Sequence, residues 1–170
     1  MSMIYPKEWV SNLDEKSLQQ NAVDIRVNKV VRINSSTPFV LTEDIRRHKG
    51  FQEIVPTTIR TYDENHKVVT ITDAWDLSPG AYQLECNDVK MPPGTAGTVI
   101  MRSSLNRNGV FITSGLYDSG FEGIINCTLQ IPYGNFILQR GTRVAQFIMF
   151  EAETHSLYNG VYKNRNSHIG

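Results

Sequence analysis

The chain has 170 residues, 40% of them hydrophobic and 20% charged, with seventeen basic side chains against seventeen acidic ones. That length suits one well-buried core and is short for two ordinary domains with a linker, and the composition excludes a disordered or membrane-spanning chain. The even charge balance leaves no global field to draw the protein to nucleic acid or to an anionic membrane, so any phosphate chemistry must come from local groups.

The first thirty residues hold no apolar run of signal-peptide length, and no stretch approaches the length that spans a bilayer, which gives a cytosolic expectation. Residues 11–20 (SNLDEKSLQQ) predict one short helix, with serine or asparagine as cap and Asp14 and Glu15 in the first turn. From Val23 the apolar residues alternate in short β-branched runs: Val23, Ile25 and Val27, then Val30, Val31 and Ile33. Later runs at 67–72, 80–84, 98–101, 123–131, 135–138 and 143–150 repeat this pattern, and turns rich in Pro, Gly, Asp and Ser separate them. Many short strands at this spacing predict an all-β barrel or jelly roll rather than alternating β and α units. Residues 43–65 are charged and poorly periodic, and read as an excursion or long hairpin over the surface. The expected organisation is one β domain over 1–157 and a polar tail over 158–170, read as a loose terminus or as a flap that orders over substrate.

Cys86 and Cys127 lie far apart, without a CxxC or paired histidine, so they read as buried small residues. The four histidines show neither metal spacing nor a nucleophile partner, and no GxSxG, P-loop or Rossmann glycine fingerprint is present.

Chemistry concentrates in a few stretches. Arg102-Ser103-Ser104-Leu105 follows a strand and puts a guanidinium beside two hydroxyls, a suitable cradle for an oligophosphate, although the string alone is common. In Gly115-Leu116-Tyr117-Asp118-Ser119-Gly120-Phe121-Glu122-Gly123, a carboxylate at a tight turn can orient a water while an aromatic offers a flat face. The competing reading is a plain β-turn, with Asp118 capping the backbone and Phe121 entering the core. Gln146, in Arg140-Gly141-Thr142-Arg143-Val144-Ala145-Gln146, is either incidental on a core strand or an amide aimed at phosphate. Asp24, inside the apolar strand of Asn21-Ala22-Val23-Asp24-Ile25-Arg26, needs a partner, and arginine is the commonest.

Taken in order, NAVDIRV, MRSSL, GLYDSGFEG, GTRVAQF and a tail bearing glycine and tyrosine resemble the trimeric dUTPase and dCTP deaminase superfamily over most of the chain. Trp75, Leu77, Pro79-Gly80, Tyr82, Glu85 and Met91-Pro92 look like the deaminase branch. The resemblance implies a distorted jelly roll (β-clip barrel) with one or two short helices, a homotrimer, and active sites at subunit interfaces. It further implies that Arg102, Ser103, Ser104 and Gln146 hold the triphosphate, that Asp118 positions the attacking water, and that Phe121 packs against the deoxyribose. The hairpin of Phe111, Ile112, Thr113, Ser114, Gly115 and Leu116 would read the pyrimidine through its backbone, and Tyr158, Tyr162, Lys163 and Arg165 would supply ring and charge over the bound nucleotide. The deaminases carry a proton-shuttling glutamate in the strand after the third motif, and the alignment puts Thr128 there, a poor acid or base near neutral pH. The implied reaction is hydrolysis of dUTP to dUMP and pyrophosphate, with Mg2+ held mainly by phosphates and waters and no protein metal-ligand set. The rival readings are a dCTP deaminase or bifunctional enzyme, and a non-catalytic nucleotide-binding regulator.

Overall fold

A computed structural model describes residues 2–34 and 36–160. Short strands follow one another: β1 (Met3–Ile4), β2 (Val23–Arg26), β3 (Lys29–Ile33), β4 (Val40–Leu41), β5 (Arg46–Arg47), β6 (Phe51–Glu53), β7 (Thr57–Tyr62), β8 (Val68–Leu77), β9 (Gly80–Lys90), β10 (Thr95–Met101), β11 (Phe111–Thr113), β12 (Glu122–Ile131), β13 (Phe136–Gln139) and β14 (Arg143–Glu151). One short helix, α1 (Ser103–Arg107), lies between β10 and β11, and single 3-10 turns occupy Pro6–Glu8 and Glu15–Ser17. One sheet runs β11-β12-β9-β3-β6, and in a second β14 lies between β1 and β10 while also pairing β2. A third sheet is β13-β8-β7, and β4 and β5 form a separate pair. The architecture is the expected all-β distorted jelly roll with short helices.

Period-two alternation builds the core. On β12, Ile125, Cys127, Leu129 and Ile131 face inward, while Asn126, Thr128 and Gln130 face the other way. They meet Val23, Ile25, Val30, Leu77, Leu84, Phe147 and Met149, all fully buried, and each large apolar side chain so buried stabilises the fold by about 1.5–3 kcal/mol. The β10–β14 pair comes unusually close, since a Cβ on Gly97 would stand 2.7 Å from the Phe147 ring, so the strand needs glycine there.

Several elements differ from the expectations. Instead of a helix, residues 11–20 form one 3-10 turn, because Asp14 caps it by accepting from the Ser17 N–H (2.9 Å) and the chain then extends at Leu18 to bridge Val23. Asp14 also takes the Arg26 guanidinium at 2.8 Å. With the Ser17 and Arg26 hydrogen bonds as the main causes, its carboxyl is held down at about 2. Strand β9 runs past Leu84 to Lys90 because its polar residues find partners: Asn87 Oδ1 accepts the Arg26 N–H (2.9 Å) and its Nδ2 donates to Ser11 O (2.7 Å). Residues 43–65 carry β5, β6 and β7. The β7–β8 hairpin turns where Asp63 Oδ1 accepts the N–H groups of Asn65 (2.8 Å) and Lys67 (2.9 Å).

Both cysteines are buried as expected, but the fold sets them side by side. The hydrogen bond to Cys127, reinforced by burial, keeps the Cys86 thiol well above its usual range and hence unreactive. Among the described residues no helix is long and apolar enough to cross a membrane.

Candidate active site

Strand β2 is covered on both faces, so Val23, Asp24 and Ile25 are all buried and the Asp24 charge needs partners. It has two. Arg143 Nη1 donates to Asp24 Oδ2 at 3.1 Å, and Arg102 Nε lies 3.7 Å from the same oxygen. Arg102 is held further by its Nη1 donating to Arg143 O (2.9 Å). The other carboxylate oxygen, Asp24 Oδ1, is buried without a hydrogen-bond partner.

The strand β10 ends at Met101, Arg102 stays extended as the cap of α1, and Ser103 and Ser104 open the helix with exposed hydroxyls. Their first-turn N–H groups have no intrahelical acceptor. Gln146 is half-buried on β14, opposite Asp24 on one side and Ile100 on the other. The fold thus brings Arg102 and Gln146 to the Asp24–Arg143 pair, with Ser103 and Ser104 next to Arg102 in the chain, and forked and hydroxyl donors of this kind are able to hold an anion.

Asp118 belongs to a different corner. Its turn is anchored at both shoulders. Tyr117 exchanges backbone hydrogen bonds with Gly97 at 2.7 and 2.9 Å, and its hydroxyl donates to Asn126 O (2.7 Å) while accepting the Asn126 N–H (2.9 Å) at a bulge in β12. Burial pushes the Tyr117 phenol far above its usual range, so it stays a neutral strut. Ser119 is buried and bonded through its hydroxyl to both backbone groups of Thr95, with Thr154 Oγ1 at 2.7 Å. Gly120 supplies the left-handed residue at φ +84°. The Asp118 carboxylate is exposed on this rigid turn and faces a cleft of about 500 Å3 shared with Thr95, Ser119, Thr154, His155 and Tyr158.

Phe121 is buried, its ring 5.2 Å from that of Tyr117 and 5.3 Å from that of Tyr158. Of the two readings of the sequence, the ring enters the core, and half-buried Tyr158 covers it, fixed by its N–H donating to Ser119 O (2.7 Å). Tyr162, Lys163 and Arg165 lie outside the described residues.

The segment 111–116 lies between the two corners. Strand β11 is a sheet edge, so it has one row of backbone donors and acceptors outside the ladder. Ile112 turns into the core, whereas Thr113, Gly115 and Leu116 are exposed. Ser114 Oγ accepts the Val99 N–H (3.1 Å), tying the segment to β10. Thr128 lies opposite Thr113, and its hydroxyl accepts from Gln83 Nε2 at 2.8 Å. Sequence reasoning did not single out Arg143, Ser119 or Gln83 as site residues, and only Arg143, beside the buried aspartate's need for a cation, had a signal.

Asp118 and the Arg102 corner are mounted at different places along β10. Tyr117 is bridged to Gly97 while Arg102 follows the far end of β10, a separation of roughly 17 Å at about 3.4 Å per strand residue. The fold and the site together define a β-jelly-roll protein with an arginine-bearing corner at Asp24 and a separately mounted carboxylate. Residues 6–152 match the model of the dCTP deaminase-like family, and the chain belongs to that family, within the dUTPase and dCTP deaminase superfamily. It is 29% identical to a deoxyuridine 5'-triphosphate nucleotidohydrolase of Methanocaldococcus jannaschii, over 94% of this chain and 95% of that one. To a dCTP deaminase of Pyrobaculum islandicum it is 36% identical over 45% of this chain and 44% of the other. The dCTP deaminase structure from Agrobacterium tumefaciens aligns with a TM-score of 0.55 at 16% identity, covering 82% of this chain and 41% of that chain, and supports the fold.

Proposed function

We propose that the protein is a dUTP nucleotidohydrolase that converts dUTP and water to dUMP and pyrophosphate. The observation that carries this reading is the exposed Asp118 carboxylate on a turn braced by Tyr117, Ser119 and Gly120, in a chain whose full-length relative has a dUTPase name. Asp118 orients a water in line with the α-phosphorus. The water oxygen bonds to phosphorus as the bond to the bridging oxygen breaks, pyrophosphate leaves, and the water proton passes through the carboxylate to solvent. Arg102, Ser103, Ser104 and Gln146 hold the triphosphate. The segment Ile112, Thr113, Ser114, Gly115 and Leu116 reads the base through its edge backbone, and Phe121 with Tyr158 walls the sugar.

Asp118 is mounted near the start of β10 and Arg102 just past its end, roughly 17 Å apart along the strand, and each site takes Asp118 from one subunit and Arg102 from another. A homotrimer with interfacial sites satisfies this. Residues 1–157 act as one domain, and 158–170, with Tyr158, Tyr162 and Lys163, close over the nucleotide. The reaction belongs in the cytosol, with free nucleotides.

The donor set fits Mg2+ carried by the substrate. Among the described residues no group of three or more His, Cys, Asp or Glu could cage a metal, yet the unpartnered Asp24 Oδ1 beside Arg102 is an acceptor suited to a metal-bound water. Bound there, Mg2+ would neutralise charge on the departing pyrophosphate.

Deamination is the second reading, favoured by the dCTP deaminase relatives. Thr128, bonded to an amide, has no acid–base capacity near neutral pH, and speaks against it. The test is product analysis with dUTP and dCTP plus Mg2+. Pyrophosphate from dUTP without ammonia from dCTP is expected, and ammonia from dCTP would overturn the assignment.

A further inference from the structure

The segment that reads the base has a polar neighbour outside the ordered motifs. Residues directly opposite in an antiparallel ladder share a face. Thr113 on β11, Thr128 on β12 and Gln83 on β9 are opposite one another in register and therefore form one row across the sheet. The adjacent row, Ile112, Leu129 and Tyr82, is buried in the core, so this row points away from it, with Thr113 exposed and the other two half-buried.

A threonine hydroxyl has one hydrogen and two lone pairs. Gln83 Nε2 donates to Thr128 Oγ1 at 2.8 Å and occupies a lone pair, and among the described residues the hydroxyl donates to no protein acceptor. Among the described residues the Thr128 hydrogen is therefore free to turn to a ligand. The two pyrimidines differ there in sign: uracil presents a carbonyl oxygen at C4, an acceptor, where cytosine presents an amino group, a donor.

Resting on the dUTPase reading, we propose that Gln83 is a positioning residue that sets base preference, holding the Thr128 hydroxyl as a donor toward the C4 carbonyl of uracil. A cytosine amino group at the same place would meet a donor and leave both groups unpaired. One neutral hydrogen bond made or left unmade corresponds to roughly tenfold in binding. Replacing the amide by a carboxylate reverses the row, because a carboxylate only accepts. It would take the Thr128 hydrogen and turn a lone pair toward the base, the polarity that suits cytosine.

The test measures KM and kcat for dUTP and the inhibition constant of dCTP against dUTP hydrolysis in the intact protein. Gln83→Leu is expected to narrow the preference for dUTP over dCTP about tenfold, with the change in KM and Ki rather than in kcat. Gln83→Glu is expected to move the ratio further, toward dCTP. Thr128→Val should match Gln83→Leu, and adding Gln83→Leu to Thr128→Val should change nothing more, which a merely structural glutamine would not reproduce. An active Gln83→Leu variant with the wild-type ratio, or the same change with and without Thr128, would overturn the proposal alone. Wild-type protein that releases no pyrophosphate from dUTP would overturn the dUTPase reading beneath it.

Discussion

Asp118→Asn is expected to lower kcat for dUTP about a thousandfold while leaving nucleotide affinity within a fewfold of wild type. Asparagine keeps the size of the side chain but cannot accept the water proton, and removing a positioned base costs typically 10²- to 10⁴-fold. The turn itself should survive, since its anchors are the Tyr117 hydroxyl on Asn126, the Ser119 hydroxyl on Thr95 and the Phe121 N–H on Asp118 O, none of which uses the Asp118 carboxylate. Parallel measurement of turnover and of binding to a non-hydrolysable dUTP analogue separates the two effects. A variant with unchanged rate would remove Asp118 from the mechanism.

The second large effect is expected from mixing inactive chains. Arg102→Ala should abolish activity by emptying the phosphate corner, with Arg143 still holding Asp24 at 3.1 Å to preserve the fold. When Arg102→Ala and Asp118→Asn chains are reassembled together in equal amounts, about a quarter of the interfacial sites pair an intact Arg102 with an intact Asp118. Activity should rise to about that fraction of wild type. A mixture no more active than its components would put both residues in one chain's site and contradict the interfacial arrangement.

Much of this was legible in the sequence because it is local. The strands around 123–131 and 143–150 follow from alternation, and a charged Asp24 between Val23 and Ile25 demanded the arginine that Arg143 and Arg102 provide. The order of motifs marked Arg102, Ser103, Ser104, Asp118 and Gln146. What the sequence hid depends on partners distant along the chain. Asn87 looks like a strand breaker until Arg26 and Ser11 satisfy its amide. Asp14 ends a helix pattern by capping one turn. The sequence left Phe121 between a core ring and an open face because nothing local indicates that Tyr158 folds back over it. Gln83 and Thr128 are 45 positions apart and meet only through strand pairing. The separation of Asp118 from Arg102 is likewise a property of β10, with the one bridged near Gly97 and the other just past Met101.

The most direct test of the central claim is hydrolysis of dUTP in water enriched in oxygen-18, with Mg2+, followed by mass analysis of both products. Attack at the α-phosphorus by the Asp118-oriented water requires one heavy oxygen in dUMP and none in pyrophosphate. Label in the pyrophosphate, or none in dUMP, would contradict it.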